Sequence, residues 1–280
     1  MFEEVEYWVE EVPKVFGLYH IIWLIILVVS IILLCRYVKG NNEKTLRKML
    51  LIFGMLMIIL EIYKQLTLAF KYNSETDSIN YAWYLFPFQF CSTPMYIALV
   101  SGFLKEGKIR DLLLSYLTCY SIFGGLTVMI YPEQVFIGRV MINFQSMFHH
   151  SSQIVLGVWL LYSGHVKANY KTVLKGAIPF LVLLAMAFLM NLGFVHFKIS
   201  SNDVFNMFYI GPHFECTLPL VSMFYPKIVT VLNYIPFLLL YIFGFIGAAG
   251  VVLLIYYGIY KLIENIKSMI NNKNKKVAFL

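Results

Sequence analysis

A cysteine stands between two prolines in the stretch LFPFQFCSTPMY, residues 85–96, and Gln89, Ser92 and Thr93 lie close to Cys91. A second polar concentration, QSMFHHSSQ, occupies residues 145–153 of an otherwise apolar segment. Thiol and imidazole make a natural nucleophile and base, because only the thiolate attacks and an adjacent base generates it. Gln145, His149, Ser152 and Gln153 follow i, i+4, i+7, i+8 and draw one polar stripe along a helix. The stripe by itself favours His149, since His150 lies about 100° round the helix on the side of Ser146. Glu61 and Lys64 are spaced i, i+3, and Gln65 follows Glu61 at i+4, so the three share a face. Each group also has a plainer reading. A free cysteine packs as a small hydrophobe, a buried histidine is usually a hydrogen-bonded part of the scaffold, and Glu61 with Lys64 makes a self-neutralising pair.

The elements that carry these residues are membrane helices. Of 280 residues, 60% are hydrophobic and 13% charged, with a mean hydropathy of +0.74; a soluble domain is roughly half apolar and about a quarter charged. A span needs about 20 apolar residues, and seven stretches offer them: 17–35, 48–70, 83–104, 112–131, 145–163, 173–196 and 231–258. Sixteen of the 22 Lys and Arg residues fall at connections on one side of such a bundle, five fall on the other, and Lys64 lies within a span. The positive-inside rule then places the N-terminus outside and the C-terminus in the cytoplasm. The expected fold is an all-α polytopic bundle of seven helices in the cell membrane.

Residues 1–16 read as an amphipathic helix in the interface, because Val5, Trp8, Val9 and Val12 fall at helical spacing and Pro13 ends the pattern. The bundle fills 17–262. Within it, about 204–226 is aromatic but broken by Pro212, Pro219 and Pro226, which suits a re-entrant or interfacial segment on the outer side. Residues 263–280 form a basic tail suited to anionic lipid headgroups. The net charge of +7 is therefore topological, and no nucleic-acid partner is expected. Cys35, Cys91, Cys119 and Cys216 show no C-x-x-C spacing, so neither a disulfide framework nor a zinc module is signalled. His196, His213 and Glu215 lie on the same outer side as Cys91, but their spacing matches no ligand set. No metal or cofactor is expected, and nothing in the sequence speaks to oligomeric state.

With this orientation, depth follows from the helical rise of about 1.5 Å per residue. Cys91 sits roughly 12 Å below the outer surface, the two histidines about 6–8 Å, Glu61 roughly 13 Å and Lys64 about 9 Å. Asn191 lies near the outer end of its span, so separate segments bring a thiol, two imidazoles, a carboxylate, an ammonium and an amide to one layer. Pro94 has no backbone donor for the carbonyl of Phe90, so the helix is expected to bend beside Cys91 and open room for a ligand.

PFQFCSTPMYI, FGGLTVMIYP, HHSSQI, Asn191 and FNMFYI occur in the order and spacing that resemble the YwaF-like integral membrane proteins. Those bacterial proteins are similar in turn to eukaryotic transmembrane acyltransferases that act on ether phospholipids. The resemblance covers roughly residues 80–215. It implies Cys91 as nucleophile and His150 as its partner, and it matches Asn191 and Asn206 to the family's asparagines. The residues therefore leave His149 and His150 both open as the base. Gln89 stands where some relatives carry a carboxylate.

Together these readings lead to lipid acyl transfer or acyl hydrolysis on phospholipid or lysophospholipid esters. Cys91 would attack the ester, one of the two histidines would act as base, and Asn191 would donate to the oxyanion. Gln89, Glu61, Lys64, Gln153 and Asn206 are the expected substrate-binding residues. The alternative is a non-catalytic transporter or sensor in which Glu61, Lys64 and the histidines form a polar path.

Overall fold

Six of the seven apolar stretches fold into helices of 20 residues or more in the computed structural model, which describes residues 11–38, 42–73, 77–200, 203–218 and 221–277. They are α1 (Leu18–Tyr37), α2 (Glu43–Lys64), α4 (Lys108–Ile130), α5 (Val140–Tyr162), α6 (Tyr170–His196) and α8 (Tyr234–Val277). Two shorter helices, α3 (Thr93–Phe103) and α7 (Val221–Leu232), complete the set. Five helical stretches are long and apolar enough to cross a membrane: α1, α2 with its continuation to Ala69, α4, α6 and Tyr234–Ile266 of α8. The two other expected spans are unlike these, because α5 is rich in polar residues and α3 has only 11 residues.

The stretch expected to span at 83–104 is not one helix. Residues Trp83–Leu85 form a single 3-10 turn, a second turn follows, and α3 begins only at Thr93 with Pro94 in its first turn. There the missing proline N–H costs nothing, since the first amides of a helix have no partner anyway. Pro94 therefore starts a helix instead of bending one. The all-α expectation also missed a small hairpin. After α2, a π-helical turn, Gln65–Ala69, leads into strands β1 (Phe70–Asn73) and β2 (Ser78–Tyr81), paired antiparallel with Phe70 opposite Tyr81.

α4 lies at the centre, packed against α3, α5, α6 and α8. Its seam with α5 is close because glycines face it. A Cβ on Gly125 would stand 2.7 Å from the His150 carbonyl oxygen, and one on Gly157 would stand 2.7 Å from that of Leu117. Small residues let membrane helices approach in this way, with packing and hydrogen bonds taking the place of the hydrophobic drive. Buried between neighbours, α5 carries its polar residues away from lipid. At one end of the bundle, the buried Arg110 donates to both carboxylate oxygens of Glu43, at 2.5 and 2.7 Å. Arg47 joins the same carboxylate at 2.5 Å and donates to the Leu104 carbonyl, which ties α2, α3 and α4 together.

Of the expected interfacial helix over 1–16, residues 1–10 lie outside the described residues, while 11–17 form bends and turns instead of helix. Segment 204–226 holds one 3-10 turn, Met207–Tyr209, and the start of α7, and its Phe205, Met207, Phe208 and Cys216 are buried among the helices. No break separates bundle from tail at 263, because α8 runs on to Val277.

Candidate active site at the Cys91 turn

Cys91 lies one residue ahead of the N-cap of α3, in a turn closed by the Gln89 carbonyl, which accepts from Ser92 N at 2.8 Å and Thr93 N at 3.2 Å. The Phe90 carbonyl, two residues ahead of the N-cap, accepts from the Thr93 hydroxyl at 2.9 Å. That hydroxyl also meets the Tyr116 hydroxyl at 2.6 Å. Beneath the turn, the Phe90 ring sits edge-on to Tyr116, Phe180, Phe208 and Phe245, with centroids 4.9–6.3 Å apart. Aromatic edges against faces are favourable at such distances. The turn is thus held from below by rings and from within by a threonine.

The carbonyl of Cys91 points at α5. It accepts from His149 Nε2 at 2.9 Å and from Gln153 Nε2 at 2.7 Å. The polar stripe read from the sequence therefore meets the cysteine turn. A ring nitrogen that donates to a carbonyl carries the proton, so His149 is the Nε2–H tautomer and its Nδ1 has a bare lone pair. His150 is fixed the opposite way, with Nδ1 donating to the Ser146 carbonyl at 2.6 Å, so that Nε2 is bare. Both rings are buried, 3% and 5% exposed, and His149 Nδ1, His150 Nε2 and Gln153 Oε1 have no hydrogen-bond partner. Three acceptor atoms left empty in a buried place invite a proton donor, since buried polar atoms are otherwise paired.

Glu61 extends the polar layer. Its carboxylate lies 2.9 Å from Lys64 Nζ and accepts from Gln65 Nε2 at 2.8 Å and Gln145 Nε2 at 3.2 Å. Gln65 also donates to the Leu85 carbonyl and accepts from the Tyr81 hydroxyl. The hairpin, α2 and α5 are joined through these contacts.

The amides form a second group. Gln89 donates to the Asn206 carbonyl at 3.0 Å and accepts from Phe208 N at 2.9 Å. Asn191 brackets Met207, donating to its carbonyl at 2.9 Å and accepting from its N–H at 2.7 Å. Asn206 accepts from Gly211 N and donates to the Glu215 carbonyl. Asn191 spends one of its two amide N–H groups and its oxygen on Met207, and so fixes backbone. The need for that fixing is visible in Phe208 and Tyr209, two consecutive non-glycine residues at φ 56° and 57°. The left-handed region costs an L-residue roughly 1–2 kcal/mol. Tyr241, whose hydroxyl donates to the Phe208 carbonyl at 2.8 Å, adds another restraint.

Sequence reasoning missed Tyr116 and Tyr241, which read as ordinary helix residues, and named Thr93 only as a polar neighbour of Cys91. A hydroxyl one residue before a proline was the available signal for Thr93. His196 and His213 line one pocket, but no group of three metal-ligating side chains occurs among the described residues.

A sequence model described as the TMEM164 family matches residues 15–257. The chain belongs to the TMEM164 family. That match takes in every residue of the site, from Glu61 on α2 to Tyr241 on α8, and agrees with a multi-pass membrane protein. No curated protein and no solved structure matches the chain.

Proposed function

We propose that this TMEM164-family chain is a lipid acyltransferase or acyl hydrolase that works through Cys91 and His150. The observation that carries the reading is the pair of oppositely fixed histidines beside the cysteine turn. His149, bound to the Cys91 carbonyl, positions the turn together with Gln153. His150 keeps a buried, bare Nε2 and is the base, as the YwaF-like resemblance implies.

In this mechanism His150 Nε2 takes the thiol proton, and the thiolate attacks the ester carbonyl of a phospholipid. The tetrahedral intermediate collapses, its C–O bond breaks, and the departing lysolipid oxygen takes the proton back from His150. A lysolipid hydroxyl or water then attacks the acyl-cysteine, again giving its proton to His150, and the thiol is released. Asn191, with one amide N–H beyond its bond to the Met207 carbonyl, donates to the developing oxyanion, since a preorganised donor in a low-dielectric site is most effective there. Gln89, Asn191 and Asn206 shape the adjoining wall. The chain crosses the cell membrane seven times in this reading, with α3 and its preceding turns as the third crossing, the N-terminus outside and the site in the outer half. Phospholipid and lysophospholipid are the substrates, and the basic end of α8 meets anionic headgroups.

The Glu61–Lys64–Gln145 network favours the second reading, a transporter or sensor with an intramembrane polar path. Incubating the purified protein in vesicles with a radiolabelled phospholipid separates the two. The acyl-transfer reading expects a hydroxylamine-labile acyl group on Cys91, absent from Cys91→Ser. A protein that never acquires that thioester, with any acyl donor and with the unaltered thiol alkylatable, is not a cysteine acyltransferase.

A further inference from the structure

Away from Cys91, α1 and α8 form the walls of a groove over the seam of α4 and α5, with a volume of about 790 Å³. Its floor is aliphatic, with Leu126 from α4 and Ile154 and Val158 from α5, whereas Tyr162, Tyr260 and Glu264 line the opposite end. Ile32, Ile255 and Ile259 at the rim are each more than half exposed, so the groove opens toward the surface that meets lipid in a multi-pass membrane protein.

We propose that this groove seats one aminophospholipid, its ammonium head at Glu264 and one acyl chain running along α8 toward Ile154. Water does not suit the floor, because a buried water needs two to four polar partners and the side chains there offer none. The lining on α8 runs from Val252 to Glu264, about 18 Å of helix, which matches a chain filling one leaflet of the roughly 30 Å hydrocarbon core. Polarity is graded as an amphiphile is graded. Tyrosines are the residues that bridge acyl and headgroup regions, and here they sit beside the only carboxylate in the lining. Lys261 Nζ lies 3.3 Å from Glu264 Oε2, so a carboxylate for the ammonium and an ammonium for the phosphate stand side by side.

This is a site apart from the acyl-transfer reading. Ile154 follows His150 by one helical turn, so the lipid presents its chain end, not its ester, toward the histidine.

The test uses the full chain in nanodiscs with phosphatidylethanolamine, or phosphatidylglycerol, carrying a photoreactive group near the chain end. The expected result is crosslinking at Leu126, Ile154 or Val158, with phosphatidylethanolamine captured in preference. Ile259 is 54% exposed, so Ile259→Trp narrows the groove without disturbing the core and should cut labelling several-fold. Glu264→Gln should bring the two lipids to parity while leaving the thermal transition in place. Cys91→Ser should alter neither readout, so loss of the acyl-transfer reading leaves this result standing. Labelling spread over the outer helix faces and indifferent to Ile259→Trp would overturn the site. Equal capture of both lipids by the unaltered protein would overturn the head assignment.

Discussion

Removing the carboxylate of Glu61 is the sharpest probe of how the polar layer is held. Glu61 is 4% exposed and serves three donors: Lys64, Gln65 and Gln145. Glu61→Gln keeps the shape but leaves one acceptor oxygen for three donors and strands the Lys64 charge. Breaking a buried ion pair by deleting one partner costs roughly 3–5 kcal/mol. Lys64 retains 19% exposure, so its flexible stem relieves part of that, and we expect about 3 kcal/mol. At about 2–4 °C per kcal/mol for a chain of this order of size, the midpoint should fall by about 6–12 °C. A thiol-reactive fluorophore in detergent is a direct assay, because Cys119 and Cys216 are buried and label only on unfolding. Lys64→Met should destabilise similarly, and the double change should recover at least about 1.5 kcal/mol as coupling between contacting residues. A Glu61→Gln midpoint unchanged within about 2 °C, or single losses that simply add, would refute the pairing argument.

Three other outcomes follow from the site. His150→Gln should abolish acyl-cysteine formation, whereas His149→Gln should retain much more of it than His149→Ala, since glutamine can still donate to the Cys91 carbonyl; quenched-flow measurement of the thioester reads this ordering. Asn191→Leu leaves the buried N–H of Met207 unpaired at roughly 1–3 kcal/mol, its carbonyl keeping the Ile210 N–H, and hydrogen exchange at Met207 and Phe208 should accelerate. A single cysteine at Asn80 should react with an impermeant maleimide on intact cells and one at Lys167 only after permeabilisation, and labelling of both on intact cells would remove the proposed orientation.

The long helices were legible because 20 or more apolar residues leave a backbone little choice in a bilayer. Hydropathy failed at 83–92, where Trp83, Phe86, Phe88 and Phe90 are partly buried against the protein core without forming a continuous helix. Pro87 and Pro94 marked that place, but a proline near a helix start and one in a kink look alike in sequence. The hairpin over 70–81 rests on four-residue strands whose alternation is too short to register. Within the site, the stripe on α5 predicted which residues face the cysteine turn. It did not predict that His149 would bond the Cys91 carbonyl through Nε2 while His150 bonded that of Ser146 through Nδ1, because the partner that turns the His149 ring lies 58 residues away in the chain. The amides at Gln89 and Asn191 were visible as polar residues, yet the backbone they hold, from Asn206 to Phe208, runs into the left-handed pair Phe208–Tyr209, which carries no glycine or asparagine to announce it.

α5 is a helix of 23 residues that brings Gln145, Ser146, His149, His150, Ser151, Ser152 and Gln153 into the bundle. Such a segment partitions poorly into lipid when it leaves the ribosome, since membrane insertion tracks the apolarity of each segment. Its partners are already made by then. Glu61 waits on α2 for Gln145, the Cys91 carbonyl waits for His149 and Gln153, and the glycine face of α4 waits for the seam. If α5 is a span, as the seven-crossing proposal has it, its insertion is expected to be ordered: it would enter against a preformed half-bundle, recruited by the same groups proposed for catalysis.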